Sequence, residues 1–87
     1  MSTIKKNLLK SKILNFVSYL EVKKKMSQIK ALSVERILNI YVSNSSKFTD
    51  INKAAVELID NLDIIKTDEV VNIVTLYLSM FTEILNT

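Results

Sequence analysis

The 87-residue sequence contains no glycine, proline, cysteine, histidine or tryptophan. Average usage would place about six glycines and four prolines in a chain of this length. Because these two residues interrupt helices and dominate tight turns, their absence indicates helices joined by short polar loops. The sequence therefore predicts one all-α domain over residues 1–87, folded as a small antiparallel bundle of three to four helices.

The absence of histidine and cysteine excludes several classes of chemistry. These residues are the commonest metal ligands, and histidine is the usual general base at neutral pH. Glu57, Asp60 and Asp63 recur at three-residue spacing, which suits a solvated helix face better than a cation site or an acid–base pair. We therefore expect a non-enzymatic protein with no metal or cofactor. The lack of cysteine and of a secretory signal pattern leads us to expect a cytoplasmic location.

Two stripes of opposite polarity predict a first helix over residues 4–26. The apolar stripe consists of Leu9, Ile13, Phe16, Val17 and Leu20, and the polar stripe of Asn7, Ser11, Asn15 and Ser18. Ser33 has the character of an N-cap, with Leu32 and Ile37 at the positions of a hydrophobic staple. It predicts a second helix over residues 34–42 and leaves the end of the first helix open between Ser27 and Ala31.

The second half of the chain predicts a loop and two further helices. The polar run over residues 43–49 predicts the loop, and either Thr49 or Asp50 would cap a third helix with an apolar stripe from Ile51 to Leu62. Thr67 precedes two acidic residues, and it predicts the N-cap of a fourth helix over residues 68–86.

The fourth helix is apolar on nearly all sides. Its uncharged stretch, Val70 to Thr82, is too short for the ~20 residues of a membrane span. Its few polar residues, at positions 72, 75, 79 and 82, have helical spacing, which argues against a β-strand. A helix of this kind belongs at the centre of a bundle or in a subunit interface, and we expect a homodimer formed through it.

Nearly half of the residues, 48%, are hydrophobic. A chain this short buries only part of its surface on folding, so we expect some apolar surface to remain exposed to a partner. The sequence therefore predicts a protein-binding module of adaptor, inhibitor, immunity or regulatory type. The candidate contact residues lie outside the first helix's apolar stripe and along the fourth helix. They are Ile4, Leu8, Leu14, Val22, Val71, Leu78, Phe81 and Leu85.

Charge is unevenly distributed along the chain. Residues 1–36 carry a net charge of +7 and residues 37–87 a net charge of −4. We expect the two halves of the fold to pair by charge, whereas a basic regulator that binds nucleic acid is the alternative function. An anionic membrane surface is a third, disfavoured partner. The basic residues that would contact nucleic acid or another anionic partner are Lys5, Lys6, Lys10, Lys12, Lys23, Lys24, Lys25, Lys30 and Arg36.

Overall fold

The computed structural model describes residues 3–44 and 50–86, and it contains four α-helices within those ranges. The helices are α1 (Thr3–Lys23), α2 (Gln28–Ser43), α3 (Ile51–Leu62) and α4 (Asp68–Leu85). No strand occurs in the described ranges, so the prediction of an all-α bundle is confirmed. None of these four helices is both long and apolar enough to cross a membrane. Residues 45–49 of the predicted loop, including Thr49, lie outside the described residues.

Two ion pairs define the direction of the helices. Lys24, just after α1, places its Nζ 3.0 Å from Oε2 of Glu69 in the first turn of α4. Lys30, in the first turn of α2, places its Nζ 3.4 Å from Oδ2 of Asp63, directly after α3. The ends of α1 and α3 therefore meet the beginnings of α2 and α4 at one end of the molecule. Helices that are consecutive in the chain consequently run antiparallel.

Each helix turns one apolar stripe toward a common core, and no polar or charged side chain among the described residues is buried there. In α1 the buried residues are the five of the predicted apolar stripe. The core also includes aromatic packing between α1 and α4, where the ring centroids of Phe16 and Tyr77 lie 5.3 Å apart. In α2 to α4 the core residues are Ala31, Val34, Leu38, Val42, Ala54, Ala55, Leu58, Ile59, Leu62, Val70, Val74, Leu78 and Phe81.

Three helices begin at a side-chain N-cap. Ser27, Asp50 and Thr67 each accept a hydrogen bond of 3.2 Å from the backbone N–H three residues later. Each bond satisfies one of the amide groups that the first turn of a helix leaves without a partner. The predicted caps at Asp50 and Thr67 are confirmed.

The predicted N-cap at Ser33 is wrong. Helix α2 begins six residues before the predicted start, at Gln28, with Ser27 as its cap. Ser33 lies inside the helix, where its hydroxyl donates a hydrogen bond of 3.4 Å to the carbonyl of Ile29. Serine is tolerated at such an interior position because this bond to the preceding turn satisfies its hydroxyl.

The chain reverses between helices without glycine by placing other residues in the left-handed conformation. Lys25 in the α1–α2 link and Asp63 in the α3–α4 link both have φ of 54°. For residues with a Cβ this conformation costs roughly 1–2 kcal/mol. At the first link the carbonyl of Leu20 accepts hydrogen bonds of 3.1 Å from the backbone N–H groups of both Lys24 and Met26. Helix α1 therefore ends at Lys23, three residues before the predicted end at residue 26.

Candidate partner-binding surface

Exposed apolar side chains are concentrated on α1 and α2. Nine large hydrophobic residues are exposed among the described residues, and seven of them belong to these two helices. The remaining two are Ile65 in the α3–α4 link and Leu76 on α4. We define the α1–α2 face by the seven residues Ile4, Leu8, Leu14, Val22, Ile29, Leu32 and Ile40.

The four α1 residues predicted as contact residues are all exposed, from 41% for Leu14 to 74% for Ile4. The four on α4 are placed differently. Leu78 and Phe81 are 0% and 1% exposed, because they lie on the stripe that α4 turns to the core, so both side chains are covered within the single chain. Val71 and Leu85 are partly buried and pack against the core cluster.

The three α2 members of the face are absent from the residues that the sequence predicts for contact. Ile29 and Leu32 precede the predicted helix, so the sequence pattern gives them no helical register. A helix that starts at Gln28 spaces Ile29, Arg36 and Ile40 at i, i+7 and i+11, on the side away from the buried stripe. Recognition of Ser27 as the N-cap would have revealed this pattern.

A shallow groove of about 130 Å³ runs between α1 and α2. Leu14 and Leu32, one from each helix, are its exposed apolar residues. Val17 and Ala31 also line it, and both are buried. The volume is well below the roughly 300–1,000 Å³ of typical small-molecule pockets. Its size suits a protruding side chain of a protein better than a whole small ligand.

The same groove is lined by Glu21 from α1 and Glu35 from α2. Glu21 is exposed and Glu35 is half-buried. Neither forms an ion pair with any other residue of the described ranges. Ser18 and Gln28 complete the polar part of the lining. The groove thus combines apolar contact area with two negative charges.

A larger cavity of about 400 Å³ lies at the end of the molecule where the two short links meet. Its charged lining residues already form ion pairs within the chain, Lys24 with Glu69 and Lys30 with Asp63. The rest of its lining is largely apolar and comes from both links and the adjoining helix ends. Those apolar residues are Leu20, Met26, Ile64, Ile65 and Val70.

A hydrogen-bonded cluster beside this cavity joins α1 to α4. The hydroxyl of Tyr19 donates to Oε1 of Glu69 at 2.6 Å, and Lys24 donates to Oε2 of the same carboxylate. These two bonds, that of Tyr19 first, hold the pKa of Glu69 below its ordinary value. Loss of hydration on burial, together with the bond to Glu69, raises the pKa of Tyr19 to about 12.

The basic residues of the first 36 positions do not form one continuous patch. Helical spacing places Lys5, Lys12 and Lys23 on one flank of α1, while the remaining lysines of that helix, Lys6 and Lys10, fall on the other. The ion pairs of Lys24 and Lys30 with the acidic half of the chain fit the interpretation in which the two halves pair by charge. Lys25 and Arg36 are exposed.

Glu57, Asp60 and Asp63, which the sequence predicts to lie on a solvated helix face, are all exposed. Within residues 3–44 and 50–86 no group of three acidic side chains is placed to hold a metal ion. Asp63 instead ends α3 and pairs with Lys30.

Comparison of the chain with protein-family models, with curated proteins and with solved structures finds no match.

Proposed function

We propose that this protein is a non-enzymatic module that binds another protein through the α1–α2 face, as an adaptor, inhibitor or regulator does. The observation that supports this proposal is the placement of seven of the nine exposed large hydrophobic residues on two helices. Single apolar residues scattered over a surface are ordinary, whereas exposed apolar residues that adjoin one another mark protein interaction sites, as Leu14 and Leu32 do across the groove between α1 and α2.

The rest of the molecule has fewer exposed large hydrophobic residues, which are Ile65 and Leu76 within the described ranges. Helix α4 is the most apolar of the four in sequence, yet its residues Val70, Val74, Leu78 and Phe81 are buried within the single chain. Among the described residues of α4, only Leu76 belongs to the exposed large hydrophobic set. A partner that buries apolar surface therefore gains most by covering α1 and α2.

Site-specific photo-crosslinking tests the proposal even though the partner is unidentified. A benzophenone amino acid is introduced at position 32 or at position 76, in the cells that naturally make the protein. Leu32 and Leu76 are both 56% exposed, so the two positions offer the cross-linker equal access to solvent. We expect a protein adduct of defined mass from position 32 and none of that mass from position 76.

Equal adducts from both positions, or no adduct from either, would contradict the proposed surface. An adduct that disappears on nuclease treatment would instead support the alternative, a regulator that binds nucleic acid through its lysines. That alternative also requires affinity to fall by orders of magnitude between low and moderate salt.

A further inference from the structure

The acidic residues of the first 36 positions are confined to one place in the structure. This segment holds nine lysine and arginine residues but only two acids, Glu21 and Glu35. Both acids line the groove between α1 and α2, although they belong to different helices. None of the nine basic side chains lines it. The lining of the groove is therefore acidic within the most basic part of the protein, and Lys10, one turn before Leu14 on the same side of α1, lies just beyond it.

The two groove glutamates differ from Glu69 and Asp63 in that they form no ion pair within the described residues. Glu69 and Asp63 neutralise Lys24 and Lys30 within the chain. Glu21 and Glu35 have no such partner among the described residues, so their charges are available to a second molecule. They flank two exposed leucines, Leu14 and Leu32, which offer apolar contact in the same groove.

From these observations we infer that the groove between α1 and α2 binds a basic amphipathic helix of a partner protein, with apolar side chains against Leu14 and Leu32 and with lysine or arginine beside Glu21 and Glu35. The inference deepens the proposed function and rests on it. A helix that lays an apolar stripe into a groove is a common mode of recognition, and flanking charges set its specificity.

Other occupants fit the groove less well. Nucleic acid and anionic lipid would bring negative charge against the two glutamates, which is repulsive. An acidic helix would meet the same repulsion, although the net charge of +3 would attract it to the protein as a whole. The overall charge and the local charge thus predict opposite preferences, and an experiment can separate them.

The test uses two synthetic helical peptides of about 18 residues, roughly five turns. Both are alanine-based with leucine at i, i+4, i+7 and i+11, and they carry either lysine or glutamate along both flanks of that stripe. Dissociation constants are measured by fluorescence anisotropy at low salt. We expect the lysine peptide to bind about tenfold more tightly than the glutamate peptide, despite the positive charge of the protein.

Two double variants assign the preference to the groove. Glu21→Lys with Glu35→Lys should reverse the preference, so that the glutamate peptide binds more tightly. The control, Asp60→Lys with Glu83→Lys, changes the net charge equally at two exposed positions outside the groove and should leave the preference intact. Circular dichroism of each variant establishes that it is folded before its affinity is measured.

Equal affinity for the two peptides, tighter binding of the glutamate peptide, or the same response of both double variants would overturn the inference. None of these results would affect a cross-link formed selectively at position 32, which tests the proposed function itself. A selective cross-link without the lysine preference would mean that the face binds a protein by other chemistry.

Discussion

The hydroxyl of Tyr19 donates a hydrogen bond of 2.6 Å to Oε1 of Glu69, a residue fifty positions later in the chain. This bond connects the last part of α1 with the first turn of α4. The other oxygen of Glu69 accepts from Lys24, so a single carboxylate is held from two sides. Its position near the N-terminus of α4 also favours the negative charge through the helix dipole.

The first prediction concerns the titration of Glu69. Its pKa is lower in the folded protein than in the unfolded chain, so its charge stabilises the fold above the unfolded pKa, and this stability is lost as pH falls through the folded pKa. Removal of the hydroxyl in Tyr19→Phe should raise the pKa of Glu69 toward its ordinary value. Carboxyl-carbon NMR titration measures this change. Tyr77→Phe, as control, should leave the Glu69 titration unaltered, and an unchanged Glu69 pKa in Tyr19→Phe would contradict the prediction.

A second prediction compares two leucines on α4. Leu78 is 0% exposed and Leu76 is 56% exposed. Leu78→Ala should lower the free energy of unfolding by about 2–5 kcal/mol, because it removes buried apolar contacts and leaves a cavity. Leu76→Ala should change it by no more than about 0.5 kcal/mol. Urea denaturation followed by circular dichroism measures both, and similar losses for the two variants would disprove the assigned orientation of α4.

A third prediction separates the observed start of α2 from the start indicated by the sequence. Ser27→Ala removes the acceptor of the Lys30 amide and should cost about 1 kcal/mol of stability. Ser33→Ala removes only an interior serine, whose replacement by a better helix former should be neutral or slightly stabilising. Thermal unfolding of the two variants decides between the caps. A larger loss of stability for Ser33→Ala than for Ser27→Ala would indicate that Ser33 is the cap and that α2 has the shorter range predicted from the sequence.

These contrasts show which parts of the fold are predictable from sequence. The buried stripes of α1 and α3 are predictable because their apolar residues recur without interruption at helical spacing. The start of α2 is not, since two serines six residues apart both have the character of a cap. Ser27 follows the left-handed Lys25 at the turn after α1, and a lysine in the sequence gives no indication of such a turn.

The contact surface is predictable only where a helix has two distinguishable sides. In α1 the residues outside the apolar stripe are indeed exposed, as Ile4 and Val22 illustrate. In α4 helical spacing places Leu76 beside Asn72 and Ser79 of the thin polar strip, which agrees with its exposure. The sequence nevertheless predicts the buried Leu78 as a contact residue, because the apolar residues of α4 outnumber what one buried stripe requires and apolarity alone does not say which of them the core covers.

A fourth prediction concerns self-association. We expect a homodimer through α4, where Val71 and Leu85 are the predicted contact residues that are only partly buried. Light scattering should therefore give twice the mass of one chain for the wild-type protein and a smaller mass for Val71→Glu, once circular dichroism has established that the variant is folded. A single-chain mass for the wild type at high concentration would contradict the dimer, and a dimer insensitive to Val71→Glu would place the contact elsewhere.

We propose above all that a protein partner binds the α1–α2 face. The most direct measurement is the dissociation constant of the partner cross-linked at position 32, determined by isothermal titration calorimetry for the wild type, Leu32→Ser and Leu76→Ser. Loss of a buried leucine contact, about 1.5–3 kcal/mol, predicts roughly 10- to 150-fold weaker binding for Leu32→Ser. The equally exposed Leu76→Ser should stay within about twofold of the wild type. Equal effects of the two substitutions, or no effect of Leu32→Ser, would contradict the account.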